Sequence, residues 1–201
     1  MPKITFLNLP EEKKQTLITA MKREFSRVPL YNASIANIIK EASIPRGSFY
    51  QYFEDKEDAF FYLLNEMVDD FKNSFLRTLN KCDGDLLETM ILFFQLMIEE
   101  EKEINFLKNA FLNMTYKIEE TLSTIFRDHE CESHIRKLAS IINTSSLNIV
   151  NDKELFHLLK IISTITFRNV VEKFAKDLSS DEALGNYIIE LNLLKNGLVR
   201  K

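Results

Sequence analysis

The sequence predicts an all-α fold, and three observations carry that expectation. Only 4 Gly and 4 Pro interrupt 201 residues that include 16 Phe, so the turn residues of a β-sandwich or barrel are missing. Apolar residues recur at spacings of three and four along most of the chain, the period of a helix with one buried face. With 45% apolar and 28% charged residues, the chain can also bury a sizeable core. The pattern divides into a three-helix unit over residues 1–55 and a larger helical body over 56–201, about nine helices in all.

Asn8, three residues before Glu11 and with Pro10 in the first turn, marks a helix start. Leu17, Ile18, Met21 and Phe25 then continue the helical period to Arg27. Val28-Pro29 ends it, because the residue before a proline is pushed out of the α region. Ser34 offers a hydroxyl N-cap to a short helix that turns Ile35, Ile38, Ile39 and Ala42 inward. Ile44-Pro45 breaks that helix after a tight turn, and Arg46–Phe53 forms another with Phe49 and Phe53 on one face. Short helices joined by a tight turn make a helix-turn-helix.

Asp55, with Asp58 three residues on, caps a helix that runs through Ala59, Phe60, Leu63, Leu64, Met67, Phe71 and Phe75 to about Lys81. Asp83-Gly84 ends it, and Asp85 with Glu88 starts a hairpin partner over 85–100 lined by Leu86, Met90, Phe93, Phe94 and Met97. The helical period resumes through Ile104, Phe106, Leu107, Ala110, Phe111 and Met114, then through Ile118, Leu122, Ile125 and Phe126, with no boundary visible between the two. Residues 142–152 are rich in Asn, Ser and Thr and read as the longest loop. Asn151 or Asp152 then caps a helix over Glu154–Asp177, whose apolar residues occupy too wide an arc for one contact face and imply burial on two sides. A last helix, Asp181–Lys195, follows Ser179-Ser180 and stops near Gly197.

The net charge of -4 argues against nucleic acid until it is divided along the chain. Residues 1–53 hold 8 Lys+Arg against 4 Asp+Glu, whereas 54–201 hold 18 against 26, which makes a small basic head and an acidic body. Cys82 and Cys131 are too few for a disulfide framework, and the N-terminus has no apolar leader, so the expectation is a cytoplasmic chain with reduced thiols. The longest apolar run, Met90–Ile98, is interrupted by Gln95 and far short of the ~20 residues of a membrane span.

The stretch from Ser34 to Leu63 (SIANIIKEASIPRGSFYQYFEDKEDAFFYL) resembles the DNA-binding domain of the TetR family of bacterial transcriptional regulators. The resemblance lies in Ile38 of the second helix, the turn at Ser43-Ile44, the run Phe49-Tyr50-Gln51-Tyr52-Phe53, and Lys56-Glu57. It covers about fifty residues, and the remainder is similar to the family in length and helix count. Three positions depart from the family pattern: Ser43 replaces the usual turn glycine, Pro45 a serine and Ile39 a small alanine, which would slightly change the angle between the two helices.

The resemblance implies that residues 1–55 bind DNA and that 56–201 form a ligand-binding and dimerisation domain. DNA contacts then fall to Ser34, Arg46, Gly47, Ser48, Tyr50, Gln51, Tyr52 and Lys56. Arg46 pairs with a guanine edge, worth ~1–3 kcal/mol of discrimination, or rests on a phosphate. Gly47 permits close backbone approach. Tyr50 and Tyr52 flank the exposed face from opposite edges and reach phosphates or a thymine methyl, as do Ser48 and Gln51, unless one tyrosine packs beside the core. Ser34 and Lys56 lie at helix N-termini, which attract phosphate; the plainer alternatives are an N-cap and a surface lysine. An apolar ligand cavity would be lined by Phe71, Phe93, Met97, Phe106, Phe111, Met114 and Phe167, although such stripes also serve simply as core.

The expected protein is a homodimer paired through its last two helices in a four-helix bundle, reading a palindromic operator in double-stranded DNA and released from it by a small, largely apolar effector. The alternative is a DNA-bound factor of the same fold whose body docks a protein partner. His129, Cys131 and His134 are metal-ligand types, but the two histidines fall ~140° apart on a helix. No metal, cofactor or catalytic constellation is expected, since no nucleophile or phosphate-binding loop accompanies His129, His134 or His157.

Overall fold

The computed structural model describes residues 2–99, 104–125 and 138–197, and no strand occurs among them. The helices are α1 (Ile4–Leu7), α2 (Glu11–Arg27), α3 (Ile35–Glu41), α4 (Arg46–Tyr52), α5 (Lys56–Lys81), α6 (Leu86–Glu99), α7 (Ile104–Leu112), α8 (Tyr116–Ser123), α9 (Asp152–Lys176) and α10 (Ser180–Asn196). Residues 138–141 are also helical, and short 3-10 turns occupy Leu30–Asn32 and Thr144–Ser146. Phe126, His129, Cys131 and His134 lie outside the described residues. Among those described, no group of three His, Cys, Asp or Glu is placed to hold a metal ion, and no helix is long and apolar enough to cross a membrane.

The chain forms two compact units, Met1–Met67 with Glu101–Thr115 and Val68–Glu100 with Tyr116–Lys201. The division falls inside α5, and α7 joins the N-terminal helices. Its Phe106, Leu107, Ala110 and Phe111 are buried, with Phe106 against Phe60 at 5.2 Å between ring centroids. Asn109 Nδ2 also donates to the Phe25 and Ser26 carbonyls at the end of α2, at 2.8 and 3.0 Å.

In the first unit, α1 precedes the helix start expected at Asn8. Asn8 instead closes α1, its N–H donating to the Ile4 carbonyl at 3.1 Å, and α2 begins after Pro10, whose φ of -54° suits a helix entry. Phe6 explains why one turn of helix persists there: it is fully buried against Phe53 and Tyr62, at 4.8 and 5.1 Å between centroids. Between α3 and α4 the turn survives the missing glycine. Ser43 itself takes φ 54°, its N–H bonds the Lys40 carbonyl and the Ile44 N–H reaches back to Ile39, the bond pattern of a left-handed helix stop.

In the second unit, α6 packs on α10, where Phe94 stacks on Tyr187 at 4.3 Å, and the buried Tyr187 hydroxyl bonds Thr166 Oγ1 of α9 at 2.7 Å. Phe71 and Phe75 of α5 both meet Phe93 edge-on. Asp85 caps α6, Asn151 caps α9 and Ser179 forms a reciprocal capping box with Glu182 on α10. The boundary missing from the sequence lies at residues 113–115, between α7 and α8, and Met114 sits there half-buried. Along α9 one side is buried through Leu155, Leu159, Ile162 and Val170, while Ile161 is 48% exposed; on α10, Ile189 is 61% and Leu193 52% exposed.

Candidate nucleic-acid interface

The interface is built on α4, seven residues held at one face by Phe49 and Phe53, both fully buried. Pro45 enters it at φ -61°, and the Ser48 N–H bonds the Pro45 carbonyl at 3.0 Å. The opposite face presents Arg46, Gly47, Tyr50 and Gln51 to solvent, with Ser48 half-buried beside them. Arg46 and Tyr50, one turn apart, form a pair: the guanidinium carbon lies 5.9 Å from the ring centroid and Nη2 is 3.5 Å from the hydroxyl. This ordering leaves the guanidinium at the solvent edge. A Cβ on Gly47 would meet nothing within 4 Å, so no contact inside the protein requires glycine there.

Tyr52 is half-buried, its ring 6.2 Å from that of Phe6, and it therefore combines a packing role with an edge of the exposed face. Lys56 is committed in part: Nζ donates to the Tyr31 carbonyl at 2.6 Å and the Ala33 carbonyl at 3.1 Å, fastening the start of α5 to the turn before α3. Ser34 occupies the N-cap position of α3, but its hydroxyl makes no capping bond.

The residue that organises this end of α3 is Glu24, which the sequence reading passed over. Only 4% exposed, it accepts from the Ser34 N–H at 2.8 Å, from Asn37 Nδ2 at 3.2 Å and from Arg27 through Nε and Nη2 at 3.0 and 2.8 Å. A carboxylate among Leu17, Met21 and Phe25 on the inner face was the available signal, since buried charge persists only when paired. Burial opposes its ionisation, but the bonds from Arg27, Ser34 and Asn37 outweigh that and hold the carboxyl below its usual 4.5. A depressed carboxylate contributes stability at neutral pH and loses it as pH falls through its folded value. Glu24→Gln should therefore lower stability by about 1–3 kcal/mol at pH 7, and the gap from wild type in thermal unfolding should close as the buffer is taken below the usual carboxylate range.

The other candidate residues are divided. Phe71, Phe93, Met97 and Phe167 are buried in the second unit, where Phe71 and Phe93 meet at 5.9 Å between centroids, whereas Phe106, Phe111 and Met114 belong to the first. Their common helical spacing gave no hint of that separation.

A helix-turn-helix with an exposed polar second helix, followed by an all-helical unit, defines a class of bacterial DNA-binding regulators. The model described as "Bacterial regulatory proteins, tetR family" matches residues 17–63, and "Tetracyclin repressor-like, C-terminal domain" matches residues 85–198. The chain belongs to the TetR family.

The HTH-type transcriptional regulator HbdR of Aromatoleum sp. (strain CIB) is 34% identical over 74 residues, 37% of this chain and 32% of that protein. YuxN of Bacillus subtilis (strain 168), an uncharacterized HTH-type transcriptional regulator, is 29% identical over 138 residues, 65% of this chain and 46% of that one. The matched stretches thus span less than half the length of these curated relatives. Among solved structures, the regulator FadR from Bacillus subtilis in complex with stearoyl-CoA shares the fold at a TM-score of 0.66 and 17% identity, over 92% of this chain and 99% of that chain. A TetR family regulator from Chloroflexus aurantiacus J-10-FL does so at 0.52 and 22%, over the full length of both chains.

Proposed function

We propose that the protein is a homodimeric transcriptional repressor that binds a palindromic operator through α4 of each copy and leaves it when a small, largely apolar ligand occupies the second unit. The observation that supports this most directly is the exposed face of α4, where Arg46, Gly47, Tyr50 and Gln51 meet solvent on a helix fixed from behind by Phe49 and Phe53. Arg46 reads a base edge, Gly47 admits the duplex backbone, and Ser48, Tyr50 and Gln51 complete the contact in the major groove. Ser34, Tyr52 and Lys56 bind flanking phosphates, which set register without carrying sequence.

Pairing through α9 and α10 covers apolar residues that those helices leave in solvent, among them Ile161, Ile189 and Leu193. Gly185 shares the α10 face of Ile189 and Leu193 at four-residue steps, and a Cβ there would meet nothing within 4 Å in one copy. Its place is the close approach of the partner helix. The ligand site is assigned to Phe71, Phe93, Met97 and Phe167 within the second unit. The stearoyl-CoA held by FadR supports an effector with a long apolar part. Ligand binding favours a different separation of the two heads and weakens DNA binding by its differential affinity for the two states.

Genomic fragments retained by the protein should share an inverted repeat with half-sites about 34–36 Å apart, one helical turn. Unbiased retention would overturn the reading. Gly185→Leu should yield monomers by light scattering with unchanged helical content and a lower Tm, and lower operator affinity about a hundred-fold as the second half-site contact is lost.

A further inference from the structure

We propose that residues 3–6 form a clasp that caps α4 at its C-terminal end, with Lys3 and Thr5 as positioning residues for DNA reading. The inference rests on α4 as the recognition helix. A helix of seven residues is marginal in water, and its last carbonyls have no partner within the helix. In α4 the carbonyls of Tyr50, Gln51 and Tyr52 are all taken by the N-terminal segment. The Lys3 ammonium donates to the Tyr50 carbonyl at 2.8 Å, the Thr5 hydroxyl to the Gln51 carbonyl, and the Lys3 backbone N–H to the Tyr52 carbonyl at 2.8 Å. The ammonium also opposes the negative end of the helix dipole.

Phe6 anchors the clasp. Fully buried, it packs against Phe53 and Tyr62 and touches the Tyr52 ring, so the single turn of α1 is held by tertiary contact and delivers its donors to α4. Each carbonyl it satisfies belongs to a residue assigned to DNA. With the clasp in place the last turn of α4 keeps Tyr50 and Gln51 in register with Arg46; without it that turn frays and their directions scatter before any duplex arrives.

The test is Thr5→Val, which keeps the shape and removes the hydroxyl, beside Thr5→Ser, which restores it. Hydrogen exchange of the free full-length protein should show amides in the last turn of α4 opening about three- to ten-fold faster in Thr5→Val, with α2 unchanged. Affinity for a duplex that the wild-type protein enriches from a random library should fall by a similar factor, while affinity for random-sequence DNA and the salt dependence stay the same. Thr5→Ser should recover both. Unchanged exchange in α4 would overturn the clasp, and so would a uniform loss on all DNA with a shallower salt slope, which marks a phosphate contact. If the wild type enriches no duplex, the reading of α4 fails, yet the exchange measurement still decides the clasp because it involves no DNA.

Discussion

Arg46→Ala and Tyr50→Ala should each lower affinity for the operator duplex by roughly ten- to a hundred-fold, leaving thermal unfolding and the dimer unchanged. Both side chains are exposed, so their removal opens no cavity and strands no buried polar group. They also lie against each other, with the guanidinium 5.9 Å from the ring centroid, so the double variant should lose less than the sum of the single losses. The form of the loss identifies what Arg46 touches. A guanine contact predicts that changing one operator base pair weakens the wild type and not the variant; a phosphate contact predicts uniform loss on every sequence and a salt slope reduced by about one. Unchanged operator affinity in both single variants, in a mobility-shift assay, would sink the assignment.

Gly84→Ala should destabilise the second unit by about 3 kcal/mol, read as a fall in Tm of roughly 6–12 °C in a circular-dichroism melt. Gly84 sits in the turn from α5 to α6 at φ 79°, a conformation that glycine adopts freely and alanine does not. Space is lacking as well: a Cβ there would collide with the Ile141 carbonyl oxygen and stand 2.7 Å from the Asn143 backbone nitrogen. Those are backbone atoms and cannot swing aside like a side chain. Relief by displacement would lengthen the bond from the Asn143 N–H to the Gly84 carbonyl, now 2.9 Å. Gly47→Ala is the control, because its φ is ordinary and nothing lies within 4 Å; it should hold or slightly raise Tm through better helix propensity. Equal melts for the two variants would show that the turn relaxes freely.

Much of the fold was legible where the controlling chemistry is local. Asp55 and Asp85 cap the helices that the sequence assigned to them, Asn151 is the one of the two candidates Asn151 and Asp152 that caps α9, Lys81 ends α5, and Phe49 with Phe53 turns α4 inward, since each depends on residues within a turn or two. The polar face of α4 was legible for the same reason: once the two phenylalanines are inside, Arg46, Gly47, Tyr50 and Gln51 are left outside.

Two of the misses share a tertiary cause. Asn8 has the chemistry of a helix start, yet Phe6, buried against Phe53 and Tyr62, builds a turn of helix before it and makes it a stop. Ser34 has the chemistry of a hydroxyl cap, yet Glu24, ten residues earlier, takes its N–H. Periodicity ran across residues 113–115 because apolar spacing continues where the backbone does not.

What the sequence determined by itself is where most helices begin and end, which faces turn inward and where the basic charge lies; capping, proline geometry and side-chain period act over a few residues. Only the tertiary structure decided which helices share a unit and what supports α4. Asn109 reaches an α2 carbonyl 84 residues away, and Lys3 reaches the Tyr50 carbonyl across 47. Such bonds depend on how the chain returns on itself, and no spacing within a single helix encodes that path.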